Sequence, residues 1–184
     1  MQRCFGDGDP LYEAYHDQEW GRPVAGEAAL FERISLEGFQ SGLSWLTILR
    51  KREAFRRAFA GFEPAAVAAF GDEDVARLLG DAGIVRNRAK ILATIAGARA
   101  TLAMRGAGDS LAALLARHAP NAPRPAPADW TQVPSVTPES RALAAELKAL
   151  GFRFIGPTTA YAAMQAVGVV NDHLAACPAR PGGG

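Results

Sequence analysis

The amino-acid sequence predicts an all-α fold, on three observations. Apolar residues recur at intervals of three and four nearly throughout. No long run alternates apolar with polar residues, as a half-buried strand would require. Asp, Thr, Pro and Gly punctuate the pattern where helices start and stop. At 184 residues the chain lies in the range of one continuous core, so one domain over 1–184 is expected.

The elements follow in order. Leu30, Phe31 and Ile34 give one helix an apolar face, and Glu37 falls near its end in LEGFQSGLSW. Trp45, Ile48, Leu49, Phe55 and Phe59 give a longer face ahead of Gly61, and Pro64 suits the first turn of a short helix. Asp72 is the expected cap for Glu73 to Leu79, with Val75, Leu78 and Leu79 inward and Gly80 as a left-handed stop. Ile84, Ile91, Leu92, Ile95 and Leu102 mark a hairpin and a long helix ending near Gly106, after which Asp109 can cap another. Residues 118–138 hold too many prolines for a helix and read as an extended surface connection. Thr137 and Pro138 restart a helix carrying Leu143, Leu147 and Leu150, stopped by Gly151. Pro157 opens the last helix, with Tyr161, Met164 and Val167, and 179–184 reads as a flexible tail.

Composition and charge narrow the function classes. No apolar run reaches the roughly 18 residues of a membrane span, and the opening Arg3, Cys4, Asp7 and Asp9 does not look like an export signal, so a cytoplasmic protein is expected. Cys4 and Cys177 alone make no disulfide framework. The net charge of +1 conceals an acidic first forty residues followed by Arg50, Lys51, Arg52, Arg56 and Arg57 against Glu53 alone. Arg86, Arg88, Lys90, Arg99 and Arg105 meet no acid in the local sequence. Such clusters can line a face for nucleic acid or form solvated helix surfaces, and charge alone favours the second.

Cys4 and His16 near the start and His173 and Cys177 near the end make two Cys/His pairs separated by nearly the whole chain. Four-residue spacing in a helical turn puts His173 and Cys177 on one face, and two thiolates with two imidazoles suit a tetrahedral zinc ion. Four protein ligands leave no open position, so such a zinc would be structural and not the centre of a hydrolase. The same spacing reads equally as two buried cysteines and two satisfied histidines. The pattern takes both cysteines and two of the three histidines, leaving His118 as an ordinary surface histidine.

DPLYEAYHDQEW places Tyr12, Tyr15 and Trp20 around His16, while Leu36 and Gly38 flank Glu37 two turns before Trp45. A half-buried carboxylate needs a partner, and a purine amine is one; aromatic faces can stack on a base. Composition alone favours core aromatics and a salt-bridged surface acid. LLGDAGIVRNRAKI has the form helix, tight turn, helix, with Gly83 in the turn and Arg86 and Arg88 just after it. Exposed backbone amides there could hold a phosphate, although helix hairpins are also common packing.

Together, DPLYEAYHDQEWG, LEGFQSGLSW, LLGDAGIVRNRAKI, GFRFIGPTTAYAAMQAVGVVNDH and the closing Cys177 resemble the 3-methyladenine DNA glycosylase I family nearly end to end. The resemblance implies an all-α helix-hairpin-helix glycosylase with zinc held at Cys4, His16, His173 and Cys177. It implies a base pocket at Glu37, Tyr15 and Trp45 with Tyr12 nearby, and Phe5 on a wall where the family often has tryptophan. Gln40, Gly42 and Leu43 resemble the segment that probes the gap left by the flipped nucleotide, and the hairpin at Gly83 has Val85 and Arg86 in place of a second glycine. The implied activity is hydrolysis of the glycosidic bond of 3-methyladenine in alkylated double-stranded DNA, initiating base excision repair. The family lacks the catalytic aspartate of its relatives, so no general base is assigned. Lys51, Lys90 and Lys148 are the only lysines and all fit helix surfaces, which disfavours a Schiff-base lyase step. Nothing demands more than a monomer. The alternative is a zinc-stabilised damaged-DNA-binding protein without chemistry.

Overall fold

The computed structural model describes residues 3–6, 8–122 and 124–180. Among them are nine α-helices and no strand: α1 Pro10–Gln18, α2 Glu27–Gln40, α3 Trp45–Ala58, α4 Pro64–Ala68, α5 Asp72–Gly80, α6 Arg88–Gly106, α7 Leu111–Arg117, α8 Pro138–Leu150 and α9 Pro157–Ala166. No helix there is long and apolar enough to cross a membrane. The expected tail lies, at 181–184, outside the described residues; Ala179 packs against the core and Arg180 donates to the His173 carbonyl at 2.5 Å.

Helix starts follow their caps. Asp9 accepts from the amides of Leu11 and Tyr12 ahead of Pro10, Ser44 from Thr47, Asn87 from Lys90, and Thr137 from Ser140 ahead of Pro138. Two expected caps move by one residue. Gly71, not Asp72, precedes α5, because the Asp74 carboxylate returns to the Gly71 amide at 3.2 Å. Ser110, not Asp109, caps α7, since its hydroxyl accepts from Ala113 at 3.1 Å while Asp109 pairs with Arg117. Gly80 stays within α5 and the chain leaves through Asp81 in extended conformation, so Gly80 is no left-handed stop.

Helix α2 runs through the middle, and every residue from Leu30 to Phe39 is buried. It packs on α3, α6, α7 and α9. The sequence pattern suggested one apolar face; here the polar face is covered too, because Glu32 meets Arg56 at 2.8 Å and Arg33 meets Glu19. Phe31, Phe39, Phe55, Phe59 and Phe62 are fully enclosed, with Phe39 and Phe55 ring centres 4.6 Å apart. Each such side chain stabilises the fold by about 1.5–3 kcal/mol. This rigid helix carries Glu37.

The cationic clusters largely disappear into ion pairs with distant acids. Arg50 reaches Asp9 at 2.6 Å, Arg52 reaches Glu19 at 2.7 Å, and Arg105 bonds Glu27 through Nε at 3.0 Å. His118 is half-buried, 2.5 Å from Glu146, and so is not an ordinary surface histidine. Lys90 overturns a second expectation: only 8% of it is exposed. Its Nζ donates to the carbonyls of Phe39 at 2.8 Å and Ser41 at 2.6 Å, so its position on α6 is a packing surface against the end of α2.

The two ends of the chain meet. Gly21 donates to the Gln165 carbonyl at 2.9 Å, and Trp130, within a 3-10 turn of the Pro-rich connection, donates to the Cys4 carbonyl at 3.0 Å. Gly168 sits at this junction with φ of 75°, and a Cβ there would lie 2.3 Å from the Arg22 carbonyl carbon. Both the backbone conformation and the space demand glycine. Gly168→Ala is expected to cost about 3 kcal/mol, which at about 2–4 °C per kcal/mol is a melting-temperature fall of roughly 6–12 °C. An unchanged thermal melt would contradict this close approach.

Candidate active site and metal centre

Helix α1 delivers Tyr12, Tyr15 and His16 to one region, with Glu19 and Trp20 just beyond its end. Helix α2 brings Glu37 and Gln40, α3 begins with Trp45, and Phe5 and Trp130 close the remaining side. The result is a cleft of about 190 Å³ with six aromatic walls, Phe5, Tyr12, Tyr15, Trp20, Trp45 and Trp130. Glu37, Gln40 and Gln165 supply its polar groups. Tyr15 and Trp45 have ring centres 5.2 Å apart, Phe5 and Tyr12 4.8 Å, and Phe5 and Trp20 5.0 Å.

Glu37 is 5% exposed and accepts no hydrogen bond among the described residues. Burial pushes its carboxyl up to about 8, against the pull of Arg33 one turn earlier on α2. The Tyr15 hydroxyl also has no such partner, and burial raises its pKa further above the usual phenol range. The Trp45 indole N–H is buried and unpartnered as well. Buried polar groups without partners are costly, so Glu37 and Tyr15, both lining one aromatic cleft, mark a place prepared for a polar, planar ligand.

A charged layer supports the cleft. Arg33 lies 5.7 Å over the Tyr15 ring, and its guanidinium bonds Glu19, which also takes both arms of Arg52 at 2.7 and 2.8 Å. Burial works to raise Glu19, but the hydrogen bonds and charges of Arg52 and Arg33 overcome it and hold the carboxyl at about 2. Glu19 therefore stays ionised where Glu37 does not. Two carboxylates in one neighbourhood are driven apart, Glu19 by its arginines and Glu37 by burial.

Beside the cleft, Cys4, His16 and Cys177 form a buried group that could hold a metal ion, their ligand atoms all within 4.8 Å of one another. Cys177 Sγ is 3.5 Å from His16 Nε2, and Cys4 Sγ accepts from the Leu174 amide at 3.2 Å. The His173 ring lies alongside, centred 5.0 Å from that of His16, with its Nε2 3.4 Å from the His16 carbonyl. Each histidine is oriented through its other nitrogen: His16 Nδ1 is 2.7 Å from Asp17 and His173 Nδ1 is 2.8 Å from Asn171. Support through the second ring nitrogen is how metal-ligating imidazoles are usually held. Burial pushes His173 down to about 4, keeping it neutral, and pushes the Cys4 thiol up to about 11. Phe5 directly follows Cys4 and packs 4.7 Å from the His16 ring, so the group fixes a wall of the cleft.

Gln40 lines the cleft, and Gly42 and the 40%-exposed Leu43 follow in the turn that leads to α3. Gly83 packs closely, since a Cβ there would come 2.9 Å from Ala54, and its amide donates to Asp81 at 2.7 Å. Arg86 and Arg88 are exposed beyond it.

The sequence over residues 5–180 matches the family described as methyladenine glycosylase. The chain belongs to that family. It is 47% identical over 184 residues to DNA-3-methyladenine glycosylase 1 of Escherichia coli (strain K12), covering 99% of this chain and 98% of that protein. A crystal structure of a 3-methyladenine DNA glycosylase I superposes with a TM-score of 0.94 at 48% identity, covering 98% of this chain and all of that one. The 3-methyladenine DNA glycosylase I of Staphylococcus aureus, studied for its recognition of 3-methyladenine, superposes at 0.92 with 36% identity over 97% of this chain and 95% of its own.

Of the residues that line this cleft in the methyladenine glycosylase chain, the sequence pointed to Glu37, Tyr12, Tyr15, Trp45 and Phe5 but not to Trp130 or Gln165. Trp130 stands among prolines, where helical periodicity gives no signal; a lone tryptophan in a connection rich in proline and alanine was the available clue. Gln165 faces the cleft while its amide donates to the buried Asp172 at 2.8 Å, a pairing that no spacing reveals.

Proposed function

We propose that this protein is a monofunctional DNA glycosylase that removes 3-methyladenine from double-stranded DNA, with one structural zinc ion held by Cys4, His16, His173 and Cys177. The observation that carries the reading is Glu37, an unpartnered, buried carboxyl at an aromatic cleft. Methylation at N3 makes adenine cationic and weakens its bond to the sugar. The extruded base stacks on Trp45, and Glu37 accepts a hydrogen bond from its exocyclic amine while balancing its charge. Tyr15 fixes the base edge. Neutral adenine gives Glu37 no charge to balance and so no return for ionising in a dry site. The charge on the ring makes it a good leaving group. As the glycosidic bond breaks, its electron pair returns to the ring, 3-methyladenine departs neutral, and the charge passes to the sugar. Water adds there and releases a proton to solvent, leaving an abasic site, so that Glu37 contributes by selecting and holding the flipped base. Gln40, Gly42 and Leu43 occupy the stack, while the Gly83 hairpin with Arg86 and Arg88 holds the backbone. The donor set of two thiols and two supported imidazoles fits zinc, which in this place would join the chain ends and steady Phe5.

The test is release of free bases from methylated duplex DNA by the purified protein, resolved chromatographically. Release of 3-methyladenine is expected; binding of the DNA without release would replace the glycosylase by a damage-binding protein.

The raised Glu37 pKa gives a pH signature. Because its folded value of about 8 exceeds its ordinary one, Glu37 contributes stability at low pH that is lost as pH climbs from the usual carboxyl range to about 8. The ionised form pairs with the cationic base, so kcat/KM is expected to rise over the same interval. Arg33→Met removes the charge that holds Glu37 down and should move the rise to higher pH, with activity recovering in alkali. A pH profile that coincides with the unaltered protein's would refute this role for Arg33.

A further inference from the structure

The turn between α2 and α3 is mounted by a lysine from a third helix. Lys90 lies in the first turn of α6, directly after the Gly83 hairpin. Its Nζ crosses to the end of α2 and donates to Phe39 and Ser41, carbonyls that a helix terminus leaves without intrahelical partners. A second lysine makes the reverse connection: Lys51 on α3 donates to the hairpin carbonyls of Ala82 at 3.0 Å and Gly83 at 3.2 Å. Ser41 to Ser44 are exposed between these braces, and Gly42 takes a φ of 84° with open space around it. The turn has little packing of its own to hold it, while both its anchors lead to the hairpin.

Burying an ammonium is costly, and desolvation lowers the Lys90 pKa accordingly. A glycine or a serine would cap α2 at less expense. What the lysine adds is a fixed distance between the turn and the hairpin.

We propose that Lys90 is a positioning residue that holds the Gln40–Leu43 turn in register with the hairpin, so that Leu43 enters the duplex where the hairpin grips its backbone. This rests on the glycosylase reading above. Of the cleft's residues only Gln40 lies in this turn; Glu37 stands two residues before Phe39 within a fully packed helix, so loosening the turn leaves its carboxyl in place.

Lys90→Met and Lys90→Arg separate the possibilities. Excision from methylated duplex DNA and affinity for free 3-methyladenine, read from tryptophan fluorescence, are measured on the full chain. Lys90→Met is expected to lower duplex excision by about 10–100-fold, the scale of a misplacement of roughly an ångström. Its free-base affinity should stay within about twofold, and Lys90→Arg, which keeps donors and charge, should recover most of the duplex activity. Equal losses in both readouts would make Lys90 a support of the cleft and overturn the proposal, as would no loss in either. Should Lys90→Met fail to fold, Lys90→Gln carries the same comparison, with the same two outcomes overturning the proposal. A parent protein releasing no base would instead defeat the glycosylase reading itself.

Discussion

Replacement of Glu37 by glutamine is expected to lower kcat/KM for 3-methyladenine release by about 100–1,000-fold, or about 2.7–4 kcal/mol of transition-state stabilisation. Glutamine keeps the volume and an acceptor oxygen, so what is lost is the charge. The loss is large because the carboxyl lies in a dry, aromatic cleft where little water screens it from a cationic base. The fold should tolerate the change: Glu37 makes no hydrogen bond to the described protein, and a neutral amide avoids the cost of burying a charge. Above pH 8 the variant is therefore expected to melt no lower than its parent. The rise of activity with pH should flatten with the charge gone. Wild-type excision by a well-folded Glu37→Gln protein would sink the assignment of Glu37, leaving aromatic stacking as the source of recognition.

Substitution of Cys177 by serine is the second large effect, and it should appear in stability before activity. The purified parent is expected to carry about one zinc per chain, and the variant well below that. Cys4 lies near one end of the sequence and Cys177 near the other, so a shared ion closes nearly the whole chain into one loop. Loss of a structural metal belongs among the most damaging single changes. About 4 kcal/mol is expected, and at about 2–4 °C per kcal/mol for this size the melting temperature falls by roughly 8–16 °C. Phe5, attached to Cys4, should loosen with it, and free-base affinity should fall in parallel. Metal analysis and thermal melts with and without a chelator check this. A chelated parent that melts at an unchanged temperature would refute a structural ion.

Much of the architecture was readable because its signals are local. Thr137 and Pro138 open α8, Pro157 opens α9, and the periodic residues of α6 run to Gly106 as expected. The errors at Asp72, Gly80 and Asp109 are each a choice among adjacent polar or flexible residues, decided by which side chain reaches which amide. The cleft residues were legible through long specific strings, yet spacing alone did not place Trp130 beside Phe5 or Gln165 beside Asp172.

The sequence by itself determined the all-helical class, the family, and the starts of several helices to within a residue, although helix α1 was not read from it. These follow from periodicity, capping and residue type, which are properties of short segments. Only the tertiary structure decided which charges are free. Arg50, Arg52 and Arg105 look unopposed in the chain and are paired in space, and Lys90, placed on a surface by periodicity, is buried against two carbonyls. Tertiary packing also decided that Glu37 would have no hydrogen-bond partner among the described residues while Glu19, equally an acid beside aromatics, would have two arginines. The physical reason is the same in each case: the energy of a charge depends on what surrounds it, and its surroundings come from helices far apart in the chain.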